Sequence, residues 1–411
     1  MAAAGYDHAV PPLIFRKGLN LKHEVAGVLA ESYHSDLVTR IKDDGYRYES
    51  GRLTIHLARE FGFCYGVERA VEYAYQTRAK FPDHRVVLVG EIIHNPHVNA
   101  KLRAMGVEIL LPEPGGAGFD YSRVTPDDVV IIPAFGVTMR DFATLRDIGC
   151  VVVDTTCGSV LNVWKRVETY ARDGFTAVIH GKHYHEETRA TASQVRRHEG
   201  GAFLIVRDMA EARQVCDYIE GRAARDGFLA RFAHAASPGF DPDVHLSRIG
   251  VANQTTMLAG DSLAIAAALG DALERAHGAA YRATNFRSFD TICSATQDRQ
   301  DAVAALLEQP LDAMVVVGGY NSSNTLSLAA LCAPRVPTYH VEDATCLDAA
   351  SGTIRHRPIG AGRDVETSDW LAMSGAVHVG ITAGASTPNN KIGDAVARIF
   401  ATRGVDPRGI A

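Results

Sequence analysis

FGFCYGVERAV, residues 61–71, sets a cysteine where a short run gives way to helical periodicity. The same plan returns as DTTCGSVLNVW at 154–164 and as DTICSATQDRQ at 290–300. After Cys64 the apolar positions are Val67, Ala70, Val71 and Ala74, and after Cys157 they are Val160, Leu161, Trp164 and Val167. After Cys293 they include Ala302, Val303, Leu306 and Leu307. That spacing is one face of a helix of period 3.6. A cysteine at a helix N-terminus has its thiolate stabilised by free N–H groups and the macrodipole, which suits a metal ligand or a nucleophile.

A β-branched run follows each helix and ends on glycine: RVVLVG to Gly90, TAVIHG to Gly181, DAMVVVG to Gly318. The steps from Cys64 to Gly90, Cys157 to Gly181 and Cys293 to Gly318 are 26, 24 and 25 residues. Four residues past each glycine stands a polar side chain: His94, His185 and Ser322. In a looser third register VVIIPAFGVT, IGVANQTT and VHVGITAGAS end in hydroxyls at Thr138, Thr255 and Thr256, and Ser386. Together these make an internal repeat of about 100 residues. Short strands alternating with helices argue for α/β units on parallel sheets. The expected architecture is therefore α/β, with three pseudo-repeated lobes whose cysteines meet on a pseudo-threefold axis. Its expected division is an N-terminal extension at 1–50 and lobes at 51–150, 151–288 and 289–411, packed as one catalytic unit. Strand VVVD (151–154) is expected to open the second lobe. The extension reads as a loop and one or two amphipathic helices lying on the surface or on a partner subunit. PEPGGAGFDYSRVTPDD (112–128) reads as a surface loop. Ser386 or Thr387 is expected to cap the last helix, with Pro388 at its first position.

A chain of 411 residues buries a large core. Its net charge of −6 gives no reason to expect nucleic acid or an anionic membrane as partner. No apolar run approaches the roughly 20 residues that span a bilayer. The opening MAAAGYDHAVPPLIFRKG lacks the order of a secretory signal, and Asp7, Glu24, Glu31, Asp36, Asp43 and Asp44 argue against a transit peptide. Seven scattered cysteines fit reduced thiols. The expected location is the cytoplasm, or the stroma for a mature plastid protein.

Taken singly, each cysteine is more often a buried small hydrophobe than a ligand, and Cys150, Cys216, Cys332 and Cys346 keep that reading. A shared position in the repeat sets Cys64, Cys157 and Cys293 apart. Three thiolates suit a zinc ion with an open fourth position or three irons of a [4Fe–4S] cluster, and spacing does not choose between them. EIIHNPHVN (91–99), HGKHYHEET (180–188) and GYNSSNT (319–325) follow buried-looking strands, where a parallel sheet presents its binding loops. Their convergent neutral donors suit phosphate oxygens. Glu187 is the carboxylate best placed for proton transfer, although a solvated acid at a helix start has nearly equal claim. GGYNSSNT and GITAGAS match neither Walker A nor G-x-G-x-x-G.

In this order GFCYGVERA, EIIHNPHV, DTTCGSV, HEET, NQTT, DTICSATQDRQ, NSSN and TAGAS resemble the 4-hydroxy-3-methylbut-2-enyl diphosphate reductase family across residues 51–400. The extension and HGKHYHEET are similar to its longer cyanobacterial and plastid form. The resemblance implies a three-lobed cloverleaf around a [4Fe–4S] cluster ligated by Cys64, Cys157 and Cys293. It implies reduction of 4-hydroxy-3-methylbut-2-enyl diphosphate to isopentenyl and dimethylallyl diphosphate, the last step of the methylerythritol phosphate route to isoprenoids. It puts His94, His185, Ser322, Ser323, Asn324 and Ser386 on the diphosphate, Thr255 near the reacting alcohol and Glu187 in the role of proton donor. A ferredoxin or flavodoxin is the implied electron donor, and the oligomeric state stays open, a homodimer included.

Two positions depart from the family's shorter form. Phe135, in AFGV (134–137), stands where that form has a diphosphate-binding histidine, so Thr138 or a water must take over the contact or it is lost. Glu186 replaces a proline between His185 and Glu187, changing local charge and loop shape. Two other functions compete with the reductase: a non-redox lyase or synthase with the same open cluster, such as quinolinate synthase, and an iron–sulfur sensor. The acidic chain and the lack of a DNA-binding motif count against a transcriptional sensor.

Overall fold

VVLV (Val86–Val89), VVII (Val129–Ile132) and AMVVV (Ala313–Val317) are buried along their whole length, as strands covered on both faces must be. In the computed structural model, which describes residues 13–113, 118–372 and 374–407, such strands join into three mainly parallel sheets and a small antiparallel one. The first sheet runs Ile14–Phe15, Val151–Asp154, Val129–Ile132, Val86–Val89, Val107–Leu110, all parallel. The second runs Phe286–Ser288, Ile249–Asn253, Thr176–His180, Phe203–Val206, also parallel. The third runs Thr338–Val341, Ala313–Val317, Val377–Ala383, Leu53–Leu57 in parallel, with Arg47–Ser50 added antiparallel at its edge. The small sheet, Leu347–Asp348, Thr353–His356 and Val365–Thr367, packs beside Thr338–Val341. This is the α/β lobed fold.

One strand order recurs in all three. The strand that follows a cysteine-led helix is central, and its successor lies on one side of it. The third strand, and then the strand that leads to the next cysteine, lie on the other side. Val151–Asp154, expected to open the second lobe, therefore pairs with Val129–Ile132 in the first sheet. The reason is the crossover: helix Met139–Ile148 lies between these two strands, and a parallel neighbour requires such a connection. Phe286–Ser288 closes the second sheet in the same way after helix Ala259–His277. Leu53–Leu57 closes the third, joining the early chain to its end.

Each sheet has its own apolar packing. Ile55, Val315, Val379 and Ile381 meet Ile392, Val396 and Phe400 on one face of the third. Val178, Ile179 and Val251 meet Tyr170, Phe175 and Leu269 in the second. The last helix is Asn389–Ala401, with Pro388 as its N-cap rather than at its first position and no side chain capping it. Ser386 and Thr387, expected to cap it, bond elsewhere: Ser386 Oγ donates to the His94 carbonyl at 3.2 Å and Thr387 Oγ1 to the Val317 carbonyl at 3.1 Å. Among the described residues no helix is long and apolar enough to cross a membrane.

Residues 1–12 of the extension and 114–117 of the glycine-rich loop lie outside the described residues. From residue 13 onward the extension packs on its own chain. Ile14–Phe15 edges the first sheet, helix Lys22–Tyr33 lies on helix Tyr65–Lys80, and helix Asp36–Asp43 lies on Asn389–Ala401. Ser35 caps Asp36–Asp43 by accepting from Val38 N–H, and Leu37, Val38 and Ile41 are buried beneath it. The extension thus braces the first and third lobes on either side of Cys64. Ile41→Ala should cost about 2–5 kcal/mol through the cavity it leaves, read as a lowered thermal midpoint. A midpoint within experimental scatter of the parent would make this helix peripheral.

Candidate functional site

Each of the three repeat cysteines is the residue at which extended backbone turns into helix. Cys64 precedes Tyr65–Lys80, Cys157 precedes Gly158–Arg172 and Cys293 precedes Ser294–Leu306. Their φ and ψ angles are −93° and 163°, −62° and 139°, and −74° and 146°, and no thiol caps its helix. All seven cysteines are free. Cys150, Cys216, Cys332 and Cys346 sit inside apolar clusters. A Cβ on Gly66 would lie 2.5 Å from Cys157 Sγ and 3.9 Å from Cys64 Sγ, so these two thiols share the space over one helix start. The Cys293 thiol is close enough to feel the charges of Cys64 and Glu187. Burial pushes the Cys293 thiol up to about 11 against the pull of Thr296, and burial likewise raises Cys64 against the N–H groups of Val67 and Gly66. Such thiols stay protonated until a metal takes the proton's place. Three free, converging sulfurs at three helix starts fit a group that takes three thiolates.

Arginines tie these junctions into a ring. Arg69, on the Cys64 helix, donates to the Thr156 carbonyl at 3.3 Å. Arg166, on the Cys157 helix, lies 4.0 Å over the ring of Phe289, ahead of Cys293. Arg299, on the Cys293 helix, is buried and donates to the Gly62 carbonyl at 3.2 and 2.6 Å, just before Cys64. Sequence reading missed all three. They stand five, nine and six residues after their cysteines, too irregular a spacing to read as a repeat.

The polar loops meet beside the cysteines. His94, His185, Ser322, Ser323, Asn324 and Ser386 are all buried and come from all three lobes. The rings of His94 and His185 stand edge to face at 5.0 Å, and Ser386 Oγ, bonded to the His94 carbonyl, lies 3.3 Å from Ser322 Oγ. Ser322 caps helix Ser323–Cys332. Asn324 Oδ1 accepts from Ala385 N–H at 2.9 Å, and its Nδ2 reaches Thr296 Oγ1, which in turn lies 3.1 Å from Cys293 Sγ. Among the described residues, two of the buried donors in this wall, His94 Nε2 and Ser323 Oγ, have no hydrogen-bond partner. Buried polar groups are rarely left so, and the pair points at a polar ligand. Gly384, in TAGAS, lets this wall close, because a Cβ there would meet Thr325 Oγ1 at 1.9 Å.

Glu187 is not a solvated acid at a helix start. It is buried, with Oε1 accepting from Thr255 N–H at 2.6 Å and Oε2 from Thr255 Oγ1 at 3.1 Å. Burial pushes its carboxyl up to about 7, against the pull of the Thr255 donors. The Thr255 carbonyl accepts from Cys293 N–H at 3.4 Å, so this residue joins the acid to the sulfur site. His185 Nδ1 accepts from Glu187 N–H at 3.1 Å, leaving Nε2 as donor in the neutral ring. Burial and the charge on His94 push His185 down.

Phe135 lies flat on His94 at 4.3 Å and edge-on to His185 at 5.6 Å. Thr138 does not replace the missing histidine: its hydroxyl caps helix Met139–Ile148, accepting from Asp141 N–H and donating to the Asp141 carboxylate. Glu186 opens helix Glu186–Ser193 and reaches His94 Nε2 at 3.5 Å, while His94 Nδ1 bonds to Glu91 at 2.9 Å. Burial opposes a charge on His94, but the Glu186 and Glu91 carboxylates outweigh it and hold the ring up at about 9. Ligand atoms of His94, His185 and Glu186 lie within 4.8 Å of one another, near enough for one cation. The protonated His94 already pairs with both Glu91 and Glu186, and the three thiols are the donor set better suited to a metal.

The family model of the LytB protein matches residues 55–400. The 4-hydroxy-3-methylbut-2-enyl diphosphate reductase of Gloeobacter violaceus is 47% identical over 398 residues, 96% of this chain and 94% of that one. The reductase of the same name from a Synechococcus species is 46% identical over 386 residues, 94% of this chain and 93% of that one. A solved structure of (E)-4-hydroxy-3-methyl-but-2-enyl diphosphate reductase, the terminal enzyme of the non-mevalonate pathway, aligns with a TM-score of 0.50 at 26% identity, covering 84% of this chain and 98% of that one. The E-1-hydroxy-2-methyl-but-2-enyl-4-diphosphate reductase from Plasmodium falciparum shares the fold, with a TM-score of 0.60 at 20% identity over 83% of this chain and 86% of that one.

Gly66→Ala tests the sulfur site without touching a ligand. The new methyl would push Cys157 Sγ aside, and metal affinity should fall roughly 10- to 100-fold, the range for groups that orient ligands. Metal content after reconstitution reads this, with circular dichroism reporting an unchanged fold. Full metal content would separate Gly66 from the site.

Proposed function

The chain belongs to the LytB protein family, and from that premise we propose that it is a 4-hydroxy-3-methylbut-2-enyl diphosphate reductase carrying a [4Fe–4S] cluster on Cys64, Cys157 and Cys293. The reading rests on one convergence: three thiols, a wall of buried donors and a buried carboxyl near neutrality share one site, contributed by all three lobes. Three thiolates also suit zinc, but zinc has no redox chemistry and a reductase must pass electrons. When bound, the cluster supplies the two electrons, one at a time, and a Lewis-acidic open iron for the departing oxygen.

The chain's own residues bind, orient and move protons. His94, His185, Ser322, Ser323, Asn324 and Ser386 hold the diphosphate, which fixes the hydroxymethyl end towards the cysteines. Thr255, between Glu187 and Cys293, sits where that hydroxyl arrives. Glu187, protonated at or below neutrality, gives its proton directly or through Thr255 Oγ1, and the hydroxyl leaves as water. A second proton completes isopentenyl or dimethylallyl diphosphate, depending on which carbon receives it. The electrons come from a one-electron carrier such as a ferredoxin or flavodoxin.

Anaerobic turnover of 4-hydroxy-3-methylbut-2-enyl diphosphate on reconstituted protein with a chemical reductant should yield both C5 diphosphates. No product from protein with an intact cluster spectrum would overturn the reductase reading and favour a non-redox lyase. Glu187→Gln should keep the cluster and cut kcat about 10²- to 10⁴-fold. Because burial raises Glu187 and the acid form is the active one, kcat/KM should be level below pH of about 7 and fall as pH rises through it. That limb should vanish in Glu187→Gln, and its survival there would assign it to another group.

A further inference from the structure

Glu186 does more than change the loop's charge. His94 has one nitrogen committed to Glu91, which Asn321 Nδ2 holds at 3.1 Å, and Phe135 covers one face of its ring. Nε2 is the nitrogen left for a phosphate oxygen, and at that nitrogen stands the Glu186 carboxylate, 3.5 Å away. At that distance the contact is an ion pair, and among the described residues Nε2 is buried with no hydrogen bond of good geometry. A carboxylate and a diphosphate cannot both occupy this place, because like charges in a site of low dielectric repel strongly. The helix offers the carboxylate an exit. Arg189 is three residues further along, lines the same cavity as Glu91, Phe135 and Glu186, and makes no ion pair, hydrogen bond or ring contact with its side chain among the described residues. Residues three apart on a helix are neighbours, and an acid–base pair at this spacing is favourable.

We propose that Glu186 is a built-in anion that holds the diphosphate's place on His94 and passes to Arg189 when the diphosphate enters. The inference rests on the diphosphate reading of the site. It makes Glu186 and Arg189 specificity-determining residues. A neutral alcohol or a small monoanion gains little at Nε2 over the carboxylate already there. A diphosphate, reaching His185, Ser322 and Ser323 at the same time, displaces it.

The test is calorimetric binding of inorganic pyrophosphate to the reconstituted protein under argon, with magnesium chelated. Glu186→Gln removes the competing charge and should tighten binding about tenfold. Arg189→Met should weaken binding about fivefold in the parent and have no effect in the Glu186→Gln background. Weaker or unchanged binding in Glu186→Gln would overturn the inference, as would binding that appears only with added magnesium and needs Glu186. An equal loss from Arg189→Met in both backgrounds would mean that Arg189 contacts the diphosphate itself, and would also overturn the exchange. Failure of parent and Glu186→Gln alike to bind pyrophosphate, with the cluster spectrum intact, would remove the diphosphate reading and this inference with it.

Discussion

Three sulfurs borne by distant parts of one chain have to face the same small space, and the rest of the molecule is arranged around that requirement. A single sheet cannot do it, because its strand ends lie in a row. Here the chain leaves one sheet by the last strand of its repeat, turns at a cysteine and begins the first helix of the next lobe. Each cysteine is therefore a covalent junction between lobes, and three junctions close into a ring. Arg69, Arg166 and Arg299 hold that ring from the side. Arg299 is the most committed: its buried guanidinium bonds the Gly62, Phe63 and Ala295 carbonyls. Hydrogen bonds from a charged donor contribute about 1.5–3 kcal/mol each.

Two adjacent carboxylates at one helix start show how strongly tertiary surroundings act on charge. The macrodipole favours the ionised form of both Glu186 and Glu187. Glu186 is half-exposed and faces the charged His94; burial opposes ionisation, the ion pair outweighs it, and its carboxyl is drawn down. Glu187 points inward, where burial dominates over two hydrogen bonds from Thr255 and raises it. Environments that push neighbouring acids apart are how one site keeps a fixed anion and a proton donor side by side.

The replacement of a histidine by Phe135 belongs to the same economy of charge. A third imidazole beside His94 and His185 would add another protonatable ring to a pocket that already holds a charged one. Phe135 instead stacks on His94 and fixes its plane, so Nε2 and Nδ1 point at defined partners. Thr138, the nearest hydroxyl in the sequence, is occupied as a helix cap.

What is local in the chain was legible in the sequence. The cysteine at each helix start, the Gly-x3-polar loops and the β-branched strands follow from spacing, periodicity and residue chemistry over a few turns. Only the tertiary structure decided which sheet the strand before each cysteine joins, because Val151–Asp154 sits next to Cys157 in sequence but pairs with Val129–Ile132 and Ile14–Phe15. It decided that Ser386 bonds His94 instead of capping a helix, that Ile41 is buried, and that Glu187 is an inward acid and Glu186 an outward anion. The physical reason is common to all of these. Burial, and the partner of a hydrogen bond or charge, depend on which distant segments arrive, and a linear pattern carries no distance between them.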